Sequence, residues 1–160
     1  MNAVRVLGID CGTAIVGWAV LEKVSEKYNV VNYGDIRTRA HQEISTRLCE
    51  IYTSLLKIIK EYKPTDLVVE DIFFFKNNKT IISVSEARGV ILLSGAMNNL
   101  NVVGYTPLQV KMSLTGYGRA EKSQVQEMVK KILKLKEIPK CDDTADALAI
   151  SICHLNSIRY

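Results

Sequence analysis

Between residues 4 and 37 the chain runs through three strand-like segments, V-R-V-L-G-I-D, G-W-A-V-L-E and Y-N-V-V-N-Y-G-D-I, parted only by turn-prone gaps at 11–14 and 25–27. Gaps this short leave no room for a crossover connection. The three segments suit consecutive antiparallel hairpins, which puts the start of the chain in one sheet.

Beyond residue 37 the chain alternates helical and strand patterns. Ile44, Leu48, Ile51, Leu55, Ile58 and Tyr62 recur at steps of three and four, which predicts a helix over 40–62 that Lys63-Pro64 stops. Residues 66–70, D-L-V-V-E, form a short apolar run ending in a carboxylate, the pattern of a buried central strand whose tip meets solvent. A loop is expected over 73–79 and a helix over 80–99, where Ser83, Ala87, Gly89 and Ala96 permit close packing. Residues 102–105 read as a fifth strand, and Thr106-Pro107 as an N-cap with proline at the first helical position. Gly116 and Gly118 end that helix, another begins at 120–123 and runs to 135, and Asp142-Asp143 opens a last one with acids suited to its dipole and cap position. The order predicts an α/β fold, a mixed five-stranded sheet flanked by helices, in one domain over 1–160.

Composition agrees with that size of fold. Of 160 residues, 48% are hydrophobic and 24% charged, enough apolar material for one core. Net charge is +4, from 21 basic and 17 acidic residues, which leans toward polyanionic partners without proving one. The N-terminal residues show no basic, apolar leader pattern, and no segment reaches the ~18 apolar residues of a membrane span, so a cytoplasmic protein is expected. Cys11, Cys49, Cys141 and Cys153 show no C-x-x-C spacing and read as reduced, structural thiols. Zinc at Cys153-His154 is not expected, because adjacent helical residues diverge and no second ligand pair exists.

The chemistry of the chain lies in its acids. Asp10 ends an apolar strand where a lone charge is costly to bury, and Glu70 ends another in the same way. If those two strands are neighbours, their carboxylates converge at one sheet edge. Asp143 and Asp146, three apart at the start of the last helix, share one of its faces. Singly, Asp143 reads as a cap, Asp10 as a turn residue and Glu70 as a surface acid; together the four form a pattern that hard divalent cations compensate. Two such ions suit phosphodiester hydrolysis.

Ordered motifs run through the chain: G-I-D-C-G-T at 8–13, V-V-E-D at 68–71, F-x-x-K-N from Phe73, S-E-A-R-G-V at 85–90, Y-T-P-L-Q-V-K from Tyr105, A-E-K-S-Q-V from Ala120 and D-x-x-D-A-L-A-I at 143–150. In this set the chain resembles the RuvC Holliday-junction resolvases over essentially its whole length. The resemblance implies a ribonuclease-H-like fold and a homodimeric, structure-selective endonuclease that cuts opposed strands of four-way junction DNA symmetrically. It implies that Asp10, Glu70, Asp143 and Asp146 bind two Mg²⁺ per subunit, with Mn²⁺ as a substitute, and that RuvA and RuvB are partners. Lys122 matches the family's active-site lysine, and Lys111 a position associated with DNA contact. Phe73 is the first candidate to unstack or wedge between bases and Phe74 the second, with Lys76 beside them on the backbone. Asp71 and Asp142 depart from the pattern. Strand alternation turns Asp71 away from Glu70's side, while a one-residue slip in the last helix would make Asp142 the ligand in place of Asp143. The lysine-rich connector at 134–140 is a further candidate phosphate contact. The helix over 80–99 is expected to pair two copies of the chain.

Rival readings stay open on sequence alone. G-I-D-x-G-T also begins the phosphate-holding hairpin of actin and sugar-kinase ATPases, although 160 residues leave no room for their second domain. A non-catalytic junction-binding scaffold and a nuclease for RNA·DNA hybrids are the others; four carboxylates perform the same phosphoryl chemistry on any backbone.

Overall fold

The computed structural model describes residues 4–71 and 78–158. Its elements are β1 (Arg5–Asp10), β2 (Ile15–Val24), β3 (Lys27–Arg37), α1 (Ile44–Tyr62), β4 (Asp66–Glu70), α2 (Asn78–Met97), β5 (Asn101–Tyr105), α3 (Pro107–Thr115), α4 (Lys122–Leu133) and α5 (Asp142–Ser157). The five strands form one sheet in the order β3-β2-β1-β4-β5. The two hairpins are antiparallel, and β4 and β5 add in parallel on the other side of β1. This mixed sheet with flanking helices is the architecture the sequence predicts.

Side-chain alternation sorts the helices into two layers. Val6, Ala19, Leu21 and Val68 pack with α3, α4 and α5 on one face. Leu7, Ile9, Val20, Leu67 and Val69 pack with α1 and α2 on the other. α5 is the most enclosed helix, buried from Thr144 through Leu155 apart from Asp146, and it lies across β1 and β2. It can approach so closely because Gly8 and Gly17 lack side chains. A Cβ on Gly8 would stand 2.0 Å from Ser151 Oγ, and one on Gly17 2.0 Å from the Asp143 carbonyl oxygen.

Helix ends differ from the sequence expectation where local hydrogen bonds outrank periodicity. α1 begins at Ile44 rather than at residue 40, because Gln42 N–H donates to the Arg39 carbonyl and the Gln42 side chain accepts from Arg39 N–H, both at 3.3 Å, closing a separate turn. α2 starts at Asn78 and stops at Met97, two residues before the expected end, since Asn99 adopts φ 57° and the Leu100 N–H donates to the Gly95 carbonyl. α4 ends at Leu133, two residues short of 135, where Lys134 turns left-handed and donates its N–H back to the Lys130 and Lys131 carbonyls. α3 has the expected start, with a reciprocal capping box between Thr106 and Gln109.

Where the C-terminal part of α5 meets the sheet, a buried polar cluster joins the layers. His154 Nδ1 and the Tyr105 hydroxyl are hydrogen-bonded at 2.8 Å, and His154 Nε2 stands 3.4 Å from Asp66 Oδ1, which accepts from Asn101 Nδ2 at 2.8 Å. Burial pushes the His154 imidazole below its ordinary value, and Asp66 only partly offsets this. The unfolded chain thus binds a proton at mildly acidic pH that the folded chain refuses, and the His154 contribution to stability falls as pH drops below about 6.5. In urea titrations, a His154→Gln variant is expected to be less stable than wild type at pH 7, with the gap narrowing by pH 5; a gap that widens would contradict a neutral His154.

Candidate metal-binding active site

β1 and β4 run parallel with Ile9 level with Val69, so Asp10 and Glu70 end adjacent strands at the same height. By alternation both belong to the α5 face, with Gly8 and Val68. On β2, Gly17 sits directly across from Asp10, and its missing side chain admits the first turn of α5. Asp143 and Asp146 are thereby brought over the ends of β1 and β4. The neighbourhood of the four acids rests on this close approach.

Electrostatics report the crowding. Asp10 is pushed up to about 8, first by burial and then by Asp146, Asp143 and Glu70, and it shares a hydrogen bond with Asp143. Burial raises Glu70 as well, with Asp146 adding to it and Lys111 and Lys122 opposing. Asp146 is raised by burial, against the pull of Lys122. Lys122 Nζ stands 3.1 Å from Asp146 Oδ2 and 3.4 Å from Asp142 Oδ2. Burial alone would lower its ammonium, but the bonds to Asp146 and Asp142 hold it above the ordinary value.

The register of α5 sets Asp142 and Asp143 apart in position. Asp143 faces Asp10, whereas Asp142 is largely exposed and accepts a hydrogen bond from Gln126 Nε2 at 3.0 Å. Asp71 turns to the α1–α2 side as expected, where Arg88 of α2 meets it at 2.8 Å. Arg88 is a residue that sequence reasoning passed over; the S-E-A-R-G-V run was the signal available. Lys111 and Lys122 line a cleft of about 230 Å³ with Glu70, Asp146, Pro107 and Val125. Phe73, Phe74 and Lys76 lie outside the described residues. The Cys153 thiol points to the Gln109 carbonyl at 3.7 Å and the His154 imidazole to Tyr105. Among the described residues, no helix is long and apolar enough to cross a membrane.

The donor set suits a hard divalent ion. All four groups offer oxygen only, each lies in a partly buried place, and Asp10, Glu70 and Asp146 are pushed up by burial and by their acidic neighbours, so positive charge brought among them relieves repulsion. Lys122 already relieves Asp146 in this way. Among the described residues no three acidic, histidine or cysteine side chains yet converge as a closed ligand set, since Asp146 is turned to Lys122 and Asp143 accepts a contact from Cys141 Sγ at 3.6 Å.

Comparison with known proteins places this geometry in a family. Residues 6–154 match the family model described as crossover junction endodeoxyribonuclease RuvC. A protein of that name from Fusobacterium nucleatum is 55% identical over 154 residues, covering 96% of this chain and 81% of its own length. One from Halothermothrix orenii is 56% identical over 154 residues, covering 96% of this chain and 93% of its own. Among solved structures, Thermus thermophilus RuvC in complex with a Holliday junction substrate superposes with a TM-score of 0.89 at 33% identity, over 95% of this chain and 93% of that one. The fold is thus the ribonuclease-H-like one of the resolvases. With matches of this extent across both halves of the acidic centre, the chain belongs to the RuvC family of crossover junction endodeoxyribonucleases.

Proposed function

We propose that this chain is a structure-selective endodeoxyribonuclease that resolves four-way DNA junctions by paired, symmetric hydrolysis of phosphodiester bonds, in recombination and repair in the cytoplasm. The observation that carries the reading is the gathering of Asp10, Glu70, Asp143 and Asp146 beside a lysine-lined cleft, in a fold shared with a RuvC solved on a Holliday junction. Residues 1–160 act as one nuclease domain.

Asp10, Glu70, Asp143 and Asp146 would hold the metal, two Mg²⁺ per subunit with Mn²⁺ able to replace them. Bound there, the ions supply an activated water and neutralise charge on the leaving oxygen. The side chains contribute the rest. Asp10, as the most crowded acid, ties the two pairs of ligands together. Lys122, half exposed at the rim, stabilises charge developing on the scissile phosphate. Lys111 holds the same strand from across the cleft, and Phe73, Phe74 and Lys76 engage the bases and backbone at the crossover.

Paired cuts require two sites, so the working unit is a C₂ homodimer. α2 is suited to that contact, because Ile82, Leu93 and Met97 are 64%, 54% and 64% exposed along one side of it, an apolar stripe that a second copy would cover. RuvA and RuvB are the proposed branch-migration partners. The test is cleavage of a labelled synthetic four-way junction beside linear duplex, RNA·DNA hybrid and ATP, with Mg²⁺ or EDTA. Symmetric nicking of the junction alone, abolished by EDTA, is expected. Preference for the hybrid, or ATP turnover, would keep the fold and remove the resolvase assignment, and a monomeric mass at working concentration would remove the dimer.

A further inference from the structure

Asp71 follows Glu70 in the chain and adds a fifth acid at the edge of a centre already crowded with negative charge. Its backbone N–H donates to the Tyr105 carbonyl at 2.8 Å, the last rung between β4 and β5. Its carboxylate lies against Gly104 of β5, where a Cβ would stand 2.4 Å from Asp71 Oδ1. From the opposite layer Arg88 reaches the same point: one guanidinium nitrogen donates to Asp71 Oδ1 at 2.8 Å, while Nε donates to the Glu70 backbone carbonyl at 3.4 Å. The Arg88 side chain is 23% exposed and Asp71 40%, so the pair is half withdrawn from water. One planar fork thus grips both the carbonyl of Glu70 and the side chain after it, a geometry that arginine supplies and lysine does not.

We infer that Arg88 is a positioning residue for Glu70 and that Asp71 is the anchor through which it acts. The peptide joining residues 70 and 71 is held at both ends, its N–H by the Tyr105 carbonyl and its carbonyl by Arg88, while Gly104 leaves room for the Asp71 carboxylate, so the backbone torsions that aim the Glu70 carboxylate at Asp10 and Asp146 are fixed from outside the acidic centre. Pairing offsets part of the repulsion that Asp71 directs at Glu70, whose carboxyl still feels that charge. The extra acid in this chain is then part of a clamp: α2, whose outer side offers the apolar stripe, holds the tip of the catalytic strand with its inner side.

The inference rests on the metal-dependent nuclease reading of the site, and its test separates the two. Arg88→Met, Arg88→Lys, Asp71→Asn and the Arg88→Met/Asp71→Asn pair are compared with wild type. The readouts are single-turnover cleavage of a four-way junction, junction Kd, calorimetric Mn²⁺ affinity without DNA, and Tm. Groups that orient metal ligands are worth about 10–100-fold in affinity or activity, so each single variant is expected to lose about 10-fold or more in cleavage rate and in Mn²⁺ affinity, with junction Kd within about twofold. The double variant should be no worse than the poorer single one, because either change opens the same clamp. Arg88→Lys, which keeps charge and stem, carries the comparison if Arg88→Met loses its melting transition. Losses that multiply in the double variant, wild-type Mn²⁺ affinity in the single ones, or a defect confined to junction Kd would each overturn the clamp. Wild-type protein that cuts no junction overturns the resolvase reading, while the Mn²⁺ titration still reads Arg88.

Discussion

Asp10→Asn is expected to abolish junction cleavage while leaving junction binding intact or tighter. Asp10 is the acid on which the other three press, through burial and the charges of Asp146, Asp143 and Glu70. An amide there removes an anionic oxygen from the proposed ion site. Loss of several kcal/mol of transition-state stabilisation, at about 1.4 kcal/mol per tenfold, puts the cleavage rate down by about 10³-fold or more. Binding moves the other way, since one negative charge leaves a surface that meets phosphate. Single-turnover cleavage and gel-shift titration with the same junction check both halves. Pure variant protein that still cuts would remove Asp10 from the centre.

The same substitution has a signature in folding. Asp10 has a raised pKa of about 8 in the folded chain against 3.8 for an ordinary aspartate. The folded state therefore holds a proton that the unfolded state has released across that range, and the Asp10 contribution to stability in EDTA falls as pH rises from about 4 through 8. Asparagine removes that dependence. Above pH 8 the variant is expected to be more stable than wild type, with a higher Tm in EDTA. A Tm difference between variant and wild type in EDTA that stays constant from pH 5 to pH 8.5 would contradict an uncompensated Asp10.

How much of this site the sequence discloses depends on where each constraint is stored. Asp10 and Glu70 are visible because an acid closing an apolar strand breaks a pattern, and strand parity then puts both on one face. That β1 and β4 are neighbours is a property of the sheet order, and the sequence left it conditional. Asp143 and Asp142 are indistinguishable by type, spacing and helix position; the rotation of α5 about its axis separates them, and Gly8 and Gly17 permit the approach that fixes it. In the sequence those glycines look only like weak points in strands. Arg88 was hidden for a related reason: a helical arginine announces charge, whereas its partnership with Asp71 exists only because α2 packs beneath the end of β4. Helix periodicity placed α1 correctly and its first turn wrongly, since the Arg39–Gln42 bonds that close the preceding turn leave apolar spacing unchanged.

Gly17→Ala is expected to damage catalysis far more than its chemistry suggests, although residue 17 bears no functional group. Its Cβ would stand 2.0 Å from the Asp143 carbonyl oxygen, 2.1 Å from the carbonyl carbon and 2.6 Å from Thr144 N, all backbone atoms that no rotamer change can clear. Either β2 bends away from β1 or the first turn of α5 lifts. The Thr144 hydroxyl's hydrogen bond to the Gly34 carbonyl, 3.0 Å long, ties that turn down and resists the lift. Overpacking of this kind costs about 1–3 kcal/mol, so a Tm lower by roughly 5–10 °C is expected. Asp143 and Asp146 ride on the displaced turn, and a shift of about 1 Å in a catalytic group costs on the order of 10²-fold in rate. Gly34→Ala is the control, because the nearest atoms to its Cβ belong to the Trp18 ring at 3.1–3.3 Å, a side chain that can yield. At a temperature where both variants are folded, Gly17→Ala should cleave about 10²-fold more slowly than Gly34→Ala while binding the junction equally well. Equal rates in the two would mean that the closeness of α5 to β2 supports the fold without setting the aim of Asp143 and Asp146.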